Sequence, residues 1–266
     1  MPFTFSHPWI VLPLNRLKNN WFSLTGLVIG SITPDFEKFI KMKAEREFGH
    51  TISGLFWFNL PLAILLAFLF HNIIKQSLIE NLPKALKGRF IPFNDFDWNK
   101  FFKRRWFAIC VSILIGAISH LFLDSFTNGN GFFHHIFPVL DRYILFSFSR
   151  YPVIVSSLLS YVLSVIGSFI ILYAIWQLPV QKNVRVSHSI LPYWATIVQM
   201  TLFIALVRVK WTATIEMKQY WYLFFPTYII FFVSAFLISL ILISLLFRFT
   251  KQYQSRKLVF KNYAKG

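Results

Sequence analysis

The chain has 266 residues, of which 56% are hydrophobic, 20% are aromatic and only 14% are charged. A soluble domain usually carries about 25% charged residues, so these proportions exclude an ordinary water-soluble domain and predict an integral membrane protein. The single cysteine, Cys110, excludes a disulfide framework and a site built from several thiolates.

The apolar runs predict the helices. The first run, residues 22–32, has about half the length that a membrane span needs, which is roughly 20 residues. We therefore predict a short buried or re-entrant helix there. Five longer runs lie at about 52–71, 106–123, 152–178, 190–208 and 221–247. The predicted fold is all-α, a polytopic helical membrane protein with about five transmembrane helices.

The distribution of polar residues suggests three parts. We predict a membrane domain with a metal site over residues 1–151, additional transmembrane helices over 152–247 and a basic tail over 248–266. The first twenty residues do not combine a basic segment, a continuous apolar core and a cleavage site. A cleavable signal peptide is therefore not expected.

Basic residues orient the predicted spans. The loop 72–105, the tail after residue 247 and the connection between the third and fourth spans carry 16 of the 27 Lys and Arg residues on one side. Cytoplasmic segments are enriched in Lys and Arg, so we predict a cytoplasmic C-terminus and an N-terminus outside. The net charge of +17 then matches anionic membrane lipids as partners. A nucleic-acid partner is not expected.

Histidines and carboxylates collect on the predicted outer side. Ionisable residues near membrane helices are costly, so such a collection indicates a functional site. The charge count that defined the two sides did not use histidine. The residues are His7, Asp35, Glu37, His50, His120, Asp124, His134 and His135.

His120 and Asp124 stand one helical turn apart. Residues i and i+4 share a helix face, so the pair can bind one ion, or Asp124 can orient the imidazole ring. The alternative is helix packing by His120 and capping by Asp124, and the pair alone slightly favours that alternative. Each of the other residues also has a structural alternative: a helix cap at Asp35, an interfacial ring at His50, or a solvated loop at His134 and His135.

The donor types predict the ion. Imidazole and carboxylate ligands without cysteine suit zinc or another divalent transition ion used in hydrolysis. The number of candidate ligands exceeds the three of a simple catalytic zinc site. Two or more ions are therefore compatible with the sequence.

Four motifs carry a resemblance to known families. The segments MPFTFSHP (1–8), GSITPDFE (30–37), GHT (49–51) and SHLFLD (119–124) resemble bacterial membrane proteins of domain-of-unknown-function family 4184. More distantly, the pattern is similar to bacterial membrane-bound metal-dependent hydrolases and to zinc-dependent phospholipase C and related nucleases. That resemblance implies a bacterial cytoplasmic membrane. It also implies metal ligands at His7, Asp35, His50, His120, Asp124 and one of His134 and His135.

Two functions remain at this stage. The first is a metal-dependent hydrolase at the outer membrane face, with a phosphoester or lipid headgroup as substrate and Asp35 or Glu37 as general base. The alternative is a non-enzymatic membrane protein in which the same residues form a structural metal site or a transport site. The third and fifth predicted spans contain no acid, base or histidine, which weighs against an ion pathway through the second half of the chain.

Overall fold

The computed structural model describes residues 3–16, 21–45, 47–129, 131–145, 152–182, 184, 190–212, 214, 217 and 224–263. The predicted all-α class is confirmed. The described strands are two residues each, Tyr143–Ile144 and Val153–Ile154, and they pair antiparallel. The described helices are α1 (Leu24–Ile32), α2 (Phe36–Lys41), α3 (Ile52–Glu80), α4 (Lys84–Phe90), α5 (Trp98–Thr127), α6 (Phe132–Ile136), α7 (Val155–Trp176), α8 (Leu191–Thr212) and α9 (Phe225–Tyr263).

Five of these helices are long and apolar enough to cross a membrane. Among the described residues they are α3, α5, α7, α8 and the first part of α9, Phe225–Thr250. The predicted number of candidate spans is therefore confirmed. Their insertion into a membrane, and its orientation, remain predictions.

The predicted ends of the first two spans need correction. Helix α3 continues to Glu80, and α5 already begins at Trp98, so residues 72–105 are not one loop. Charged side chains lower the local hydropathy in this stretch, but the helices continue through them. The Lys75 side chain, for example, is buried, and its ammonium group donates a hydrogen bond to the Phe96 carbonyl at 2.7 Å.

The short helix α1 packs directly against the backbone of α5. Its nine residues extend about 14 Å, roughly half the hydrocarbon thickness of a bilayer. A Cβ atom on Gly30 would lie 2.2 Å from the Ile113 carbonyl oxygen, and one on Gly116 would lie 2.4 Å from the Leu27 carbonyl oxygen. Small residues permit this close helix approach, so the two glycines bring the end of α1 beside the second half of α5.

The chain forms two compact units. The first comprises Met1–Glu37, Arg46–Ala67 and Lys100–Leu178, and the second comprises Lys38–Glu45, Phe68–Asn99 and Pro179–Gly266. In the first unit, a 3-10 helix at Thr4–Ile10 packs against α1 and α7. In the second unit, α8 packs against α9 around a buried core. The predicted division at residues 151 and 247 remains a prediction.

Candidate metal centre

Four of the predicted residues meet in the first unit. Each offers one ligand atom, and these four atoms all lie within 4.8 Å of one another. One residue ends the 3-10 turn after α1, one precedes α3, and two lie one turn apart on α5. The group is Asp35, His50, His120 and Asp124.

The separations within the group match ligands that share one ion. His50 Nε2 lies 3.2 Å from Asp124 Oδ2 and 3.6 Å from Asp35 Oδ1. His120 Nε2 lies 3.6 and 3.7 Å from the same two oxygen atoms. Ligands about 2.1 Å from a tetrahedral ion are about 3.4 Å apart. An N–H···O hydrogen bond rarely exceeds about 3.2 Å, so three of the four distances are too long for direct hydrogen bonds.

Backbone carbonyls fix the orientation of two imidazole rings. His120 Nδ1 lies 2.8 Å from the Ser31 carbonyl oxygen, and His7 Nδ1 lies 3.2 Å from the carbonyl oxygens of Phe3 and Thr4. A carbonyl only accepts, so Nδ1 carries the proton and the neutral ring presents the Nε2 lone pair. Both residues are 0% exposed, and neither Nε2 makes a hydrogen bond with a described residue. These buried nitrogens therefore fit the requirements of metal ligands.

His7 faces the other oxygen of Asp124. Its Nε2 lies 3.5 Å from Asp124 Oδ1, while Oδ2 of the same carboxylate faces His50 and His120. The rings of His7 and His120 stack with centroids 3.9 Å apart. The two oxygen atoms of Asp124 therefore face different histidines, and a second ion remains a prediction.

Thr4 holds the Asp35 carboxylate from the side away from His50. Its hydroxyl donates to Asp35 Oδ2 at 2.5 Å, and Oδ1 faces the two imidazoles. The supporting role of Thr4 was not predicted from the sequence. Its position three residues before His7, within one turn, was the available indication.

Glu37 supports the segment that carries His50. Its carboxylate is buried and accepts hydrogen bonds from three consecutive backbone N–H groups, those of Glu47, Phe48 and Gly49, at 3.0, 2.9 and 2.9 Å. A Cβ atom on Gly49 would lie 2.2 Å from the Pro34 carbonyl oxygen, so only glycine allows this segment to approach so closely. The geometry favours a positioning role for Glu37 over the general-base role that the sequence suggested.

The adjacent pair His134 and His135 lies outside the group of four. His134 Nδ1 donates to Asp141 Oδ1 at 2.8 Å. His135 is exposed on the same short helix, α6. The structure therefore does not bring either residue into the group, and their role as ligands remains a prediction.

His50 is the most exposed member of the group. The side chains of Asp35 and His120 are 0% exposed and that of Asp124 is 4% exposed, but 16% of the His50 side chain is accessible. Helices and turns therefore enclose the centre on most sides.

The fold and the cluster define a helical protein with five candidate membrane spans and a candidate metal centre of two histidines and two aspartates. The chain belongs to the family described as Domain of unknown function (DUF4184), whose model matches residues 1–245. All the residues of the centre lie within the matched region. No curated protein and no solved structure matches the chain.

Proposed function

We propose that this protein is an integral membrane metalloprotein that hydrolyses a phosphoester. Asp35, His50, His120 and Asp124 hold a divalent ion, and His7 supports it or binds a second one. One observation carries the proposal: the imidazole nitrogens lie 3.2–3.7 Å from carboxylate oxygens, the spacing of ligands around a common ion.

The donor set favours a catalytic ion. Structural zinc sites are usually rich in cysteine, whereas catalytic zinc uses histidine and carboxylate ligands and keeps one position for water or substrate. This centre has two imidazoles and two carboxylates. Zinc is therefore the ion that we propose, and the accessible edge of His50 is the side from which substrate enters.

The chain's own residues prepare the chemistry. A divalent ion lowers the pKa of a bound water toward ~7 and neutralises phosphate oxygens. The Ser31 carbonyl fixes the tautomer of His120, and Thr4 turns Asp35 Oδ1 toward the centre. There Asp35 binds the ion or accepts the proton of the reacting water. Glu37 holds the His50 segment and does not touch the reacting atoms.

The proposed location is the outer face of a bacterial cytoplasmic membrane, with the N-terminus outside and the C-terminus in the cytoplasm. The uneven distribution of basic residues supports this orientation. Two of the ligands lie near the end of α5, and another lies two residues before the start of α3. A centre at the ends of spans lies near headgroup depth, which makes a lipid phosphoester the proposed substrate.

Metal analysis of the purified full-length protein tests the centre. We expect at least one equivalent of divalent metal in the wild type and less than about a tenth of that in the His120→Ala/Asp124→Ala variant, because two adjacent ligands are lost. His71→Ala, which removes a histidine of the second unit, is the matched control and should keep full occupancy. Wild-type protein without stoichiometric metal, or a double variant with full occupancy, would defeat the proposal.

A structural metal is the second candidate. The complete burial of His7 and His120 favours it, because an ion there would tie the N-terminal 3-10 helix to α5. Turnover of a chromogenic phosphodiester and of phospholipid vesicles by wild type and His120→Ala separates the two functions. Metal-dependent turnover that disappears in the variant supports the enzyme. Wild-type protein that holds its metal but shows no turnover supports the structural role.

A further inference from the structure

The first turns of α5 carry a basic cleft. It has a volume of about 410 Å³ and is lined by Lys100, Phe101, Arg104 and Arg105. Lys100 and Arg104 are four residues apart on one helix face, where like charges repel each other. The surrounding stretch, residues 94–107, contains four basic residues and two acids. The cleft therefore has the charge to bind an anion.

An apolar cleft of about 330 Å³ adjoins it and shares Arg105. The other lining residues are Trp21, Phe22, Phe107, Ala108 and Val111.

Trp21 and Phe22 line the apolar cleft from the segment before α1, and the chain that follows them packs tightly against α5. The Ser23 backbone N–H donates to Ser112 Oγ at 2.8 Å, and a Cβ atom on Gly26 would lie 2.9 Å from Ser112 Cβ. The apolar cleft is thus formed by two tightly packed segments.

Arg105 marks the junction of the two clefts. Its backbone leaves helical geometry, with φ of −134° and ψ of 23°, inside an otherwise continuous α5. The residues before it are mostly polar or basic, and those after it begin the apolar part of the helix. Arg105 is 15 residues before His120, about 22 Å along a helix. The clefts are therefore separate from the metal centre.

We propose that the paired clefts form a binding site for an anionic phospholipid. The phosphate lies among Lys100, Arg104 and Arg105, and an acyl chain follows the apolar cleft. Guanidinium groups bind phosphate oxygens with two parallel hydrogen bonds. Basic clusters beside membrane helices bind anionic headgroups, and aromatic residues favour the same depth. A free phosphate would fill only the basic cleft and leave the apolar cleft empty. A zwitterionic lipid would bring its own cation near three basic side chains, which would repel it.

Lipid binding to the purified full-length protein in neutral detergent tests the proposal. Native mass spectrometry would follow titrations with dioleoylphosphatidylglycerol, dioleoylphosphatidylcholine and glycerol phosphate. We expect the first to bind at least about tenfold more tightly than either of the others. Equal binding of the two lipids would overturn the proposal. Glycerol phosphate that binds as tightly as the anionic lipid would also overturn it, since this would show an anion site without a chain-binding part.

Two variants locate the site. Lys100→Gln/Arg104→Gln removes two exposed charges and should weaken phosphatidylglycerol binding at least about tenfold. Lys84→Gln/Lys182→Gln removes two exposed charges outside both clefts and should change it less than about twofold. Equal losses in both variants, or no loss in the first, would contradict the assignment.

A third variant tests the apolar cleft while it keeps every charge. Val111→Trp fills that cleft, so we expect weaker binding of phosphatidylglycerol and unchanged binding of glycerol phosphate. Unchanged lipid binding in a variant with wild-type helix content, measured by circular dichroism, would remove the acyl chain from the apolar cleft and overturn the proposal in this form. None of these measurements depends on bound metal or on hydrolysis.

Discussion

Both units of the molecule bury polar side chains, and two sets of these side chains, one from each unit, have different surroundings. In the second unit, the Tyr193 hydroxyl lies 3.0 Å from Ser244 Oγ, and the Ser77 hydroxyl donates to the Ser244 carbonyl at 3.1 Å. In the first unit, Nε2 of His7 and of His120 lies 3.5–3.7 Å from carboxylate oxygens. The first set of distances describes hydrogen bonds, and the second describes groups with space for an ion between them.

This difference shows which buried polar residues indicate a ligand. Tyr193 and His120 are both 0% exposed, so burial does not distinguish them. The two residues are distinguished by the distance from the polar atom to its partner and by the orientation of that atom. Hydrogen-bonded groups hold helices together with a net contribution of about 1 kcal/mol each, whereas a shared ion can contribute several times more.

Removal of the metal should have the largest effect. A ligand present at a thousand times its dissociation constant stabilises the folded state by about 4 kcal/mol. Treatment of the wild type with a strong chelator should therefore lower the midpoint of thermal unfolding in detergent clearly, and restored zinc should reverse the change. The His120→Ala/Asp124→Ala variant is the control and should not respond. A wild-type midpoint that does not respond to chelation would contradict a stabilising ion.

Loss of the Glu37 carboxylate should have the second largest effect. Glu37→Gln keeps the shape but places an amide NH₂ against backbone N–H groups, so the segment before His50 loses part of its support. We expect metal affinity to fall by about ten- to a hundredfold, measured by competition with a chromogenic zinc chelator. Glu45→Gln removes only an exposed carboxylate, 3.8 Å from Lys43 Nζ, and should leave the affinity unchanged. Equal affinities of the Glu37 variant and the wild type would remove the positioning role.

Thr4→Val should have a smaller effect. The substitution removes the hydroxyl that donates to Asp35 Oδ2 and keeps the side-chain volume. Metal affinity should fall about tenfold, since groups that orient ligands contribute at this level. Thr201→Val is the matched control: Thr201 is also buried, but its hydroxyl donates to the Ile197 carbonyl within α8. If both variants change the affinity equally, the contact with Asp35 has no specific role.

Tyr193→Phe should have the smallest effect and leave the metal untouched. It removes one hydrogen bond to Ser244 in the second unit. The expected loss is about 1 kcal/mol of unfolding free energy, seen as a small decrease in the thermal midpoint at full metal occupancy. A loss of metal in this variant would show that the two kinds of buried polar groups are not independent.

The sequence predicted the helices better than their ends. Long apolar runs predicted the five candidate spans because a helix that crosses lipid must be apolar over most of its length. The hydropathy pattern predicted that the first span ends near residue 71, although α3 continues to Glu80. Hydropathy does not predict the hydrogen bond from Lys75 to the Phe96 carbonyl, because this contact depends on a segment more than twenty residues later in the chain.

The candidate centre was partly predictable. The i, i+4 spacing on α5 placed His120 and Asp124 on one face, and the sorting of charges placed Asp35 and His50 on the same side. The supporting contacts were not predictable. The acceptor for His120 is the carbonyl of Ser31, a group that every residue has, and its position follows from the close approach of α1 and α5.

The close approach of α1 and α5 makes the spacing of the candidate ligands depend on residues outside the group of four. Gly116 is one turn before His120, and Gly30 directly precedes Ser31. A methyl group at either position would push α1 and α5 apart, because each Cβ atom would lie within 2.4 Å of a backbone oxygen. The distance across the centre would then increase. Divalent ions differ in radius and in preferred coordination number, so we expect the proposed centre to favour a larger ion when either glycine is replaced by alanine.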